Sequence, residues 1–417
     1  MKILRIAARN LLRYRRRTLL TTLLITLGVM AMLLFVSTSG SFKAMMVGQI
    51  TDSMMGHLQI HKKGYVSSID SLPLTMNMKP KMVEKAAEQL AQMPQVEAWS
   101  ERVKFGAMFS NFAETTSIRV NGVDPQREIQ ACPELPNRLL SQLDSKAGAP
   151  FLERGQLIIP ELIAKGLKVN VGDPVVLVAT NRDGSVNGIN FVVSGILEGL
   201  SGPGGRDGYL HIDDARELLR LEDNEISEIA VRLKSPEQQP VAMQTLQKTL
   251  GSLTNQQGKP AFEIHGWDKL SPFANIAKMI DLMTLFINVM LVAIVLISVM
   301  NVMIMAVYER VREIGTLAAM GTQPNTILKL FVTEGLLLGL VGALLGILLS
   351  IATVLVLQQA QISFDFGRQS GLILHPELTL SDLMWASLMV ISAAVLASLQ
   401  PAWKASRLNP VDALRQV

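Results

Sequence analysis

The sequence predicts an α-helical membrane protein with four transmembrane helices and a large extracytoplasmic α+β domain. First, only 18% of the 417 residues are charged and 49% are hydrophobic, a balance unlike that of an ordinary soluble enzyme. Second, charged residues are absent from four blocks of 25, 27, 30 and 21 residues, at 18–42, 282–308, 335–364 and 383–403. Third, about 240 residues of mixed composition separate the first two blocks, enough for one or two hydrophobic cores.

Each uncharged block is long enough to cross a bilayer, because a helix needs about 20 apolar residues to span the hydrocarbon core. We therefore place the transmembrane helices at 18–42, 279–308, 331–358 and 383–401. The segments between and around them are an N-terminal segment 1–17, a large domain 43–278, a loop 309–330, a loop 359–382 and a tail 402–417.

The distribution of basic residues predicts the orientation. Seven basic residues and no acidic residue precede the first span, the tail is also basic, and the loop 359–382 is acidic. Since basic residues favour the cytoplasmic side, both termini and the loop 309–330 are expected in the cytoplasm, with the large domain outside. The first apolar block is too long for a signal peptide, and cleavage would leave an odd number of spans, so we expect it to be retained.

Apolar residues interleave with arginines in the segment 1–17. This pattern favours either an amphipathic helix on the inner leaflet or a plain basic anchor. Membrane lipid is the expected partner in both cases, and nucleic acid is not, because the basic patch adjoins a membrane span.

The sequence of the large domain predicts an α/β lobe with an inserted β-rich subdomain at about 150–210. The lobe is built from the N-terminal and C-terminal parts of the domain. Residues 56–61 alternate polar with apolar side chains, which is typical of a strand with one solvent-exposed face. Pro133–Pro150 is expected to be a mobile connection, and Phe42–Met55 and Trp267–Met283 to be helical stalks. The other predicted elements are helices at Lys79–Met93 and Glu237–Leu253 and strands at Val96–Phe112, Thr115–Val123, Val175–Ala179, Asn190–Leu197, Ile226–Leu233 and Phe262–His265.

No catalytic, cofactor-binding or metal-binding motif is evident, so the sequence does not predict an enzyme. The segment Gly251–Lys259 lacks the glycine spacing of a phosphate-binding loop and is followed by Pro260. The glycine-rich segment Gly199–Gly208 favours a flexible turn or a partner-binding tip. His57 and His61 alone make an incomplete metal site, and the single cysteine, Cys132, excludes an internal disulfide.

The loop after the second span contains the segment Glu309–Gly321, ERVREIGTLAAMG. It predicts a short helix that ends near Gly321, a typical residue after a helix C-cap, with Pro324 starting the next helix. From the residues alone, two interpretations remain open: a rigid helix that docks a partner, or a simple turn with interfacial charges.

A stripe of small residues runs along one face of the third span. Such stripes allow another helix to approach closely, either within one subunit or at a seam between subunits, and both interpretations remain open. Ionisable residues are absent from the middle of every span, which disfavours an ion or proton relay. The stripe consists of Gly335, Gly339, Gly342, Gly346 and Ser350.

These segments resemble the FtsX/MacB-type permease subunits of ABC transporters. The resemblance covers the whole chain and depends on ERVREIGTLAAMG with the glycine-rich span, and on the C-terminal PAWKASRLNPVDALR. The segment GHLQIHKKGY, at 56–65, is similar to the start of the outer domain in permeases of the lipoprotein-releasing (Lol) type.

The resemblance implies a multi-pass protein of the bacterial inner membrane, with a periplasmic domain and a coupling helix that docks onto a separate ABC ATPase dimer. ATP and magnesium would bind to that ATPase, and this chain would hold no cofactor. A second permease copy or paralogue would complete the transporter, with a periplasmic adaptor or lipoprotein carrier as a further partner. The expected coupling residues are Glu309, Arg310, Arg312, Glu313, Ile314, Gly315, Leu317, Met320 and Gly321.

Several functions are compatible with this resemblance. The leading hypothesis is mechanotransmission, in which ATP hydrolysis drives extraction of a lipoprotein or lipophilic substrate from the inner membrane. The alternatives are MacB-like efflux of peptides or small hydrophobic compounds, and a signalling permease that activates cell-wall hydrolases. A purely structural membrane anchor would leave the segment Glu309–Gly321 unexplained.

Overall fold

The computed structural model describes residues 2–143, 151–199, 206–221, 223–254, 258, 260–360, 363–366, 369–409 and 413. Within these ranges the α-helices are, in chain order, α1 Lys2–Arg13, α2 Arg15–Ile50, α3 Pro80–Ala91, α4 Pro125–Ala131, α5 Glu161–Leu167, α6 Ile212–Leu219, α7 Gln239–Thr249, α8 Trp267–Leu270, α9 Phe273–Glu309, α10 Val311–Ala319, α11 Pro324–Ala360 and α12 Leu380–Ser406.

The β-strands follow the same order. They are β1 Leu58–Lys62, β2 Val96–Ser110, β3 Thr115–Val123, β4 Leu139–Gln142, β5 Gln156–Pro160, β6 Pro174–Thr180, β7 Val186–Leu197, β8 Asp207–His211, β9 Glu228–Leu233, β10 Phe262–Gly266, β11 Ser363–Phe366 and β12 Gln369–Ile373. A π-helical turn, Thr51–Met55, follows α2.

The chain divides into two compact units. The helical unit comprises Met1–Ala44, Ala277–Phe364 and Leu372–Val417, and the sheet unit comprises Met45–Ile276 and Asp365–Gly371. Each unit has its own hydrophobic core, with Ile25, Val299 and Phe331 in the first and Ile60, Phe105 and Val231 in the second.

The helical unit contains the four predicted membrane helices. Among the described residues, four helical segments are long and apolar enough to cross a membrane, namely Arg15–Met55, Phe273–Glu309, Pro324–Ala360 and Leu380–Ser406. Each is longer than the uncharged block from which it was predicted. Helix α12 begins with a capping box in which the Thr379 hydroxyl accepts from the Asp382 N–H and the Asp382 carboxylate accepts from the Thr379 N–H.

The sheet unit is built on a ten-stranded mixed sheet in the order β10-β1-β9-β2-β3-β8-β5-β7-β4, with β6 paired to β2 and β7. The pairs β3–β8 and β5–β7 are parallel, and the other paired strands are antiparallel. The predicted helices and strands of the large domain are confirmed at α3, α7, β2, β3, β6, β7, β9 and β10. The β-rich segment at 150–210 contributes strands to the same sheet as both ends of the domain.

The prediction that one face of β1 is exposed to solvent is wrong. His57, Gln59 and His61 are all buried, because β1 lies between β9 and β10 and its polar face meets other buried polar side chains. The His61 ring stacks on Tyr65 with centroids 5.1 Å apart. A strand with a solvent-exposed face and a strand with a buried polar face show the same alternation of polar and apolar residues. The sequence pattern therefore could not distinguish the two cases.

Two connecting segments also differ from the prediction. Part of Pro133–Pro150 is ordered, since Leu139–Gln142 forms β4 and pairs with β7, while 144–150 lies outside the described residues. The predicted stalk Trp267–Met283 is interrupted between α8 and α9 at Ser271 and Pro272. Residues 200–205, within the segment Gly199–Gly208 for which a flexible turn or a partner-binding tip was predicted, lie outside the described residues, as do residues 410–412.

Candidate functional site

The segment Glu309–Gly321 forms the predicted short helix, α10. Arg310 separates α10 from α9, with φ −113° and ψ 17°. At the other end, Gly321 has φ +86°, a left-handed conformation that favours glycine. The Gly321 N–H donates to the Ala318 carbonyl at 3.0 Å and the Thr322 N–H to the Leu317 carbonyl at 3.1 Å. These two bonds form a Schellman motif, which ends α10 sharply before Pro324 begins α11.

Helix α10 has one packed face and one open face. Val311, Ile314 and Gly315 are buried within the helical unit. On the open face, Met320 is 71% exposed and Leu317 is 37% exposed. Two apolar side chains are therefore presented outward from a helix whose own backbone is fixed at both ends.

The expected coupling residues fall into two groups. Arg310, Ile314 and Gly315 are buried by the chain itself, so these three can influence a docked protein only by positioning α10. The spacing of charges in ERVRE could not reveal this, because the partner of Arg310 is Glu334, 24 residues away. The expected coupling residues that are accessible for direct contact are Glu309, Arg312, Glu313, Leu317, Met320 and Gly321.

Arg310 and Glu334 form a buried ion pair, with 3.0 Å between Arg310 Nη1 and Glu334 Oε1. The same oxygen accepts from Asn10 Nδ2 at 2.8 Å, and the Arg310 guanidinium lies 4.5 Å from the centre of the Tyr14 ring. Glu334 lies near the start of the predicted span 331–358, and the sequence assigned it no role. The available signal was its position at the very edge of a 30-residue uncharged block.

Two further ion pairs join the N-terminal region to the same segment. Arg17 Nη1 lies 3.0 Å from Glu309 Oε2, and Arg13 Nη1 lies 3.3 Å from Glu313 Oε1. Both are open to solvent on at least one partner, so each contributes little to stability. Leu4, Ile6 and Leu12 of α1 are exposed, which is typical of an amphipathic helix, one of the two interpretations given for this segment.

The stripe of small residues on α11 packs against helices of the same chain. A Cβ added at Gly335 or Gly339 would lie within 3 Å of a side-chain carbon of Ser398 or Ala394, both on α12. Gly342 and Gly346 approach α2 in the same way, against Ile25 and Val29. Ser350 is buried and its hydroxyl donates to the Gly346 carbonyl. The structure shows packing of the stripe within one subunit, which is one of the two interpretations.

The sheet unit contains a cluster of buried charges that the sequence did not reveal. Arg102 lies 2.6 Å from Glu128 Oε1 and 3.0 Å from Glu228 Oε1, and Lys104 and His61 also contact Glu228. Burial alone would raise the pKa of the Glu228 carboxyl, but Lys104, His61 and Arg102 together lower it well below its usual range.

Cys132 adjoins the same cluster, 3.1 Å from Arg102 Nη2. Burial raises the pKa of the Cys132 thiol to about 12, so it is protonated at neutral pH. Within the described residues, no group of three or more His, Cys, Asp or Glu side chains is placed to hold a metal ion.

The structure predicts that the sheet unit is less stable at mildly acidic pH. Burial lowers the pKa of His57, and the neutral Nδ1 accepts a hydrogen bond from the Leu233 N–H at 3.1 Å. Below pH ~6.5, His57 therefore binds a proton more readily in the unfolded chain than in the folded one, so the free energy of unfolding decreases as the pH falls. We expect His57→Asn to reduce the loss between pH 7.5 and 5.5, measured by thermal melting, whereas the exposed His375→Asn should leave it unchanged. An equal loss in both variants would contradict this assignment.

Comparison with known families gives the class of the protein. Residues 18–249 match the model of the MacB-like periplasmic core domain, and residues 285–410 match the FtsX-like permease C-terminal model. The two matches follow the division into a membrane helix with a β-rich domain and three further membrane helices. The chain is therefore a permease subunit of an ABC transporter of the Lol and MacB type, with an extracytoplasmic domain. It belongs to the family defined by the MacB-like periplasmic core domain.

The relatives include proteins named for lipoprotein release and proteins named for macrolide export. The chain is 24% identical to the lipoprotein-releasing system transmembrane protein LolC of Haemophilus influenzae over 95% of this chain and 93% of that protein. Its identity to LolE of the same organism is 26%, over 78% of this chain and 79% of that protein. It is also 26% identical to the macrolide export ATP-binding/permease protein MacB of Bordetella avium, over 99% of this chain but 59% of that protein.

The solved structures that match this chain include the periplasmic region of MacB from Actinobacillus actinomycetemcomitans. That match has a TM-score of 0.36 and 15% identity, and covers 52% of this chain and 92% of that chain.

Proposed function

We propose that this chain is the transmembrane subunit of an ABC transporter that works by mechanotransmission, and that the open face of α10 docks onto the ATPase. The observation that carries the proposal is the structure of α10: a helix anchored through Val311 and Ile314 and ended by a Schellman motif, with Leu317 and Met320 facing outward. Apolar side chains on a fixed helix are suited to a groove on a partner, since desolvated anchors dominate the affinity of such interfaces.

The partner in this proposal is a dimer of separate ATPase chains, which would bind ATP and magnesium. The MacB relative is named as an ATP-binding/permease protein, and this chain matches only 59% of its length. The LolC relative, a transmembrane protein by name, matches over 93% of its length. A second permease copy or paralogue would complete the transporter in the bacterial inner membrane, with both termini and α10 in the cytoplasm. The excess of basic residues before the first span supports this orientation.

The proposed cargo is a lipoprotein or another lipid-bearing molecule, extracted from the membrane rather than passed through a polar path. Matches to LolC and LolE along most of their length support this cargo class.

The second candidate is MacB-like export with a periplasmic adaptor, which the match of residues 18–249 to the MacB-like core domain favours. Reconstituted complexes supplied with a fluorescent lipoprotein or with a macrolide would separate the two.

The docking proposal is tested by charge substitution on the open face of α10. We expect Leu317→Asp and Met320→Asp to lower the amount of ATPase that co-purifies with the permease about tenfold or more, because a buried charge replaces an apolar contact. The matched control is Asn325→Asp, which adds the same charge at an exposed position near the start of α11. If both α10 variants retain full ATPase binding and coupled hydrolysis, α10 is not the docking helix.

A further inference from the structure

One carboxylate in the helical unit holds three segments of the chain together. We define the Glu334 cluster as Glu334 on α11, Arg310 before α10, and Asn10 and Tyr14 at the end of α1. Glu334 Oε1 accepts from Asn10 at 2.8 Å and from Arg310 at 3.0 Å. The Arg310 guanidinium also packs on the Tyr14 ring. A single oxygen atom therefore connects α1 and the start of α10 to α11.

The cluster is desolvated, which distinguishes it from the other links in this region. Glu334 is 2% exposed and Arg310 is 7% exposed. Separating the two partners of a buried ion pair leaves uncompensated charges, which is strongly unfavourable. The distance between the two side chains of such a pair therefore changes little. The neighbouring pairs Arg13–Glu313 and Arg17–Glu309 are solvent-accessible and tolerate movement. The Glu334 cluster is the firm connection between α1 and α10.

Helix α1 is more than a basic anchor in this arrangement. It lies against α11 through Asn10, while its residues Leu4, Ile6 and Leu12 remain exposed. Arg310 sits between α9 and α10 with backbone angles outside the helical range, and its side chain connects the junction of these two helices to Glu334. A displacement of α10 must move Arg310, and Arg310 cannot move without Glu334 and Asn10 following or the pair breaking.

We propose that Glu334 is a positioning residue that makes α1 part of the coupling machinery, carrying displacement of α10 to α11 and α1 together. This inference rests on the proposed docking of an ATPase at α10. Glu334 itself is buried and would not touch the ATPase. Loss of the cluster should therefore spare docking and impair the transmission of movement.

The test compares three Glu334 cluster variants in the complete permease–ATPase complex. Glu334→Ala removes both hydrogen bonds, and Glu334→Gln keeps an acceptor without the charge. The double variant Arg310→Met with Glu334→Leu replaces the ion pair by apolar side chains, which usually preserves stability. The control is Lys329→Ala, at an exposed position on the same helix.

Two measurements are made on each variant. Hydrogen exchange of the 2–13 peptide reports how firmly α1 is held, and ATPase co-purification with cargo-stimulated hydrolysis reports docking and coupling. We expect Glu334→Ala and the double variant to raise α1 exchange about tenfold and to lower coupled hydrolysis about tenfold, with ATPase binding kept within twofold. The double variant should do so with an unchanged melting temperature, which a purely stabilising role of the cluster would not produce.

The outcomes separate this inference from the proposed function. Unchanged α1 exchange in Glu334→Ala, or faster exchange with full coupling, overturns the inference alone. Failure of the wild-type permease to bind the ATPase overturns the proposed function and the inference with it.

Discussion

Replacing Gly346 by leucine is expected to destabilise the helical unit more than any other single substitution in the stripe. A Cβ at this position would lie 2.6 Å from Val29 Cβ and 3.0 Å from the Thr26 carbonyl oxygen of α2. The backbone cannot give way as a flexible side chain would, so α2 and α11 must separate. Overpacking of this kind costs about 1–3 kcal/mol in well-packed cores. Membrane helices depend on close packing for their association, so we expect the upper part of that range.

The measurement is thermal unfolding of the purified permease in detergent, together with the recovery of monodisperse protein. The matched control is Gly40→Leu on α2, where an added Cβ meets nothing within 4 Å. Glycine is itself unfavourable in a helix interior, so the control should be neutral or slightly stabilising. Equal melting temperatures for the two variants would show that the α2–α11 approach is looser than the structure indicates.

Local patterns were sufficient to locate most helices and strands. The strands predicted at 96–112 and 115–123 match β2 and β3 nearly to the residue, because a strand pattern depends only on neighbouring residues. The uncharged blocks likewise predicted the membrane helices, because the bilayer excludes charge over about 20 residues of helix. The sequence also predicted the end of α10, since Gly321 and Pro324 act within a single turn.

Burial of polar residues could not be predicted in this way, because it depends on partners far along the chain. His61 contacts Glu228 across 167 positions, and Asn10 contacts Glu334 across 324. Nothing within ERVRE distinguishes the buried Arg310 from the exposed Arg312. The candidate site was therefore predictable as a segment, while its division into contact and positioning residues required the fold.

Removing the guanidinium of Arg102 is expected to destabilise the sheet unit by about 3–5 kcal/mol, the usual cost of breaking a buried charge network. Arg102 on β2 donates to Glu128 on α4 and to Glu228 on β9. With Arg102→Met, Glu128 keeps no cation among these contacts, and Glu228 keeps Lys104 as its cation and His61 as a further polar contact. One of the two carboxyl groups must then bind a proton or draw water into the core, and either response opens the β2–β9 pair.

The measurement is hydrogen exchange of the β2 and β9 peptides in the full-length permease, which reports the free energy of opening for this part of the sheet. The matched control is Arg127→Met, on the same helix as Glu128, since Arg127 pairs with Glu101 at the surface. An exposed pair contributes at most about 1 kcal/mol, so this variant should exchange almost as the wild type does. If Arg102→Met also exchanges at the wild-type rate, the buried cluster is compensated elsewhere in the core. The charges of the cluster would then serve the arrangement of β2, α4 and β9 rather than the stability of the unit.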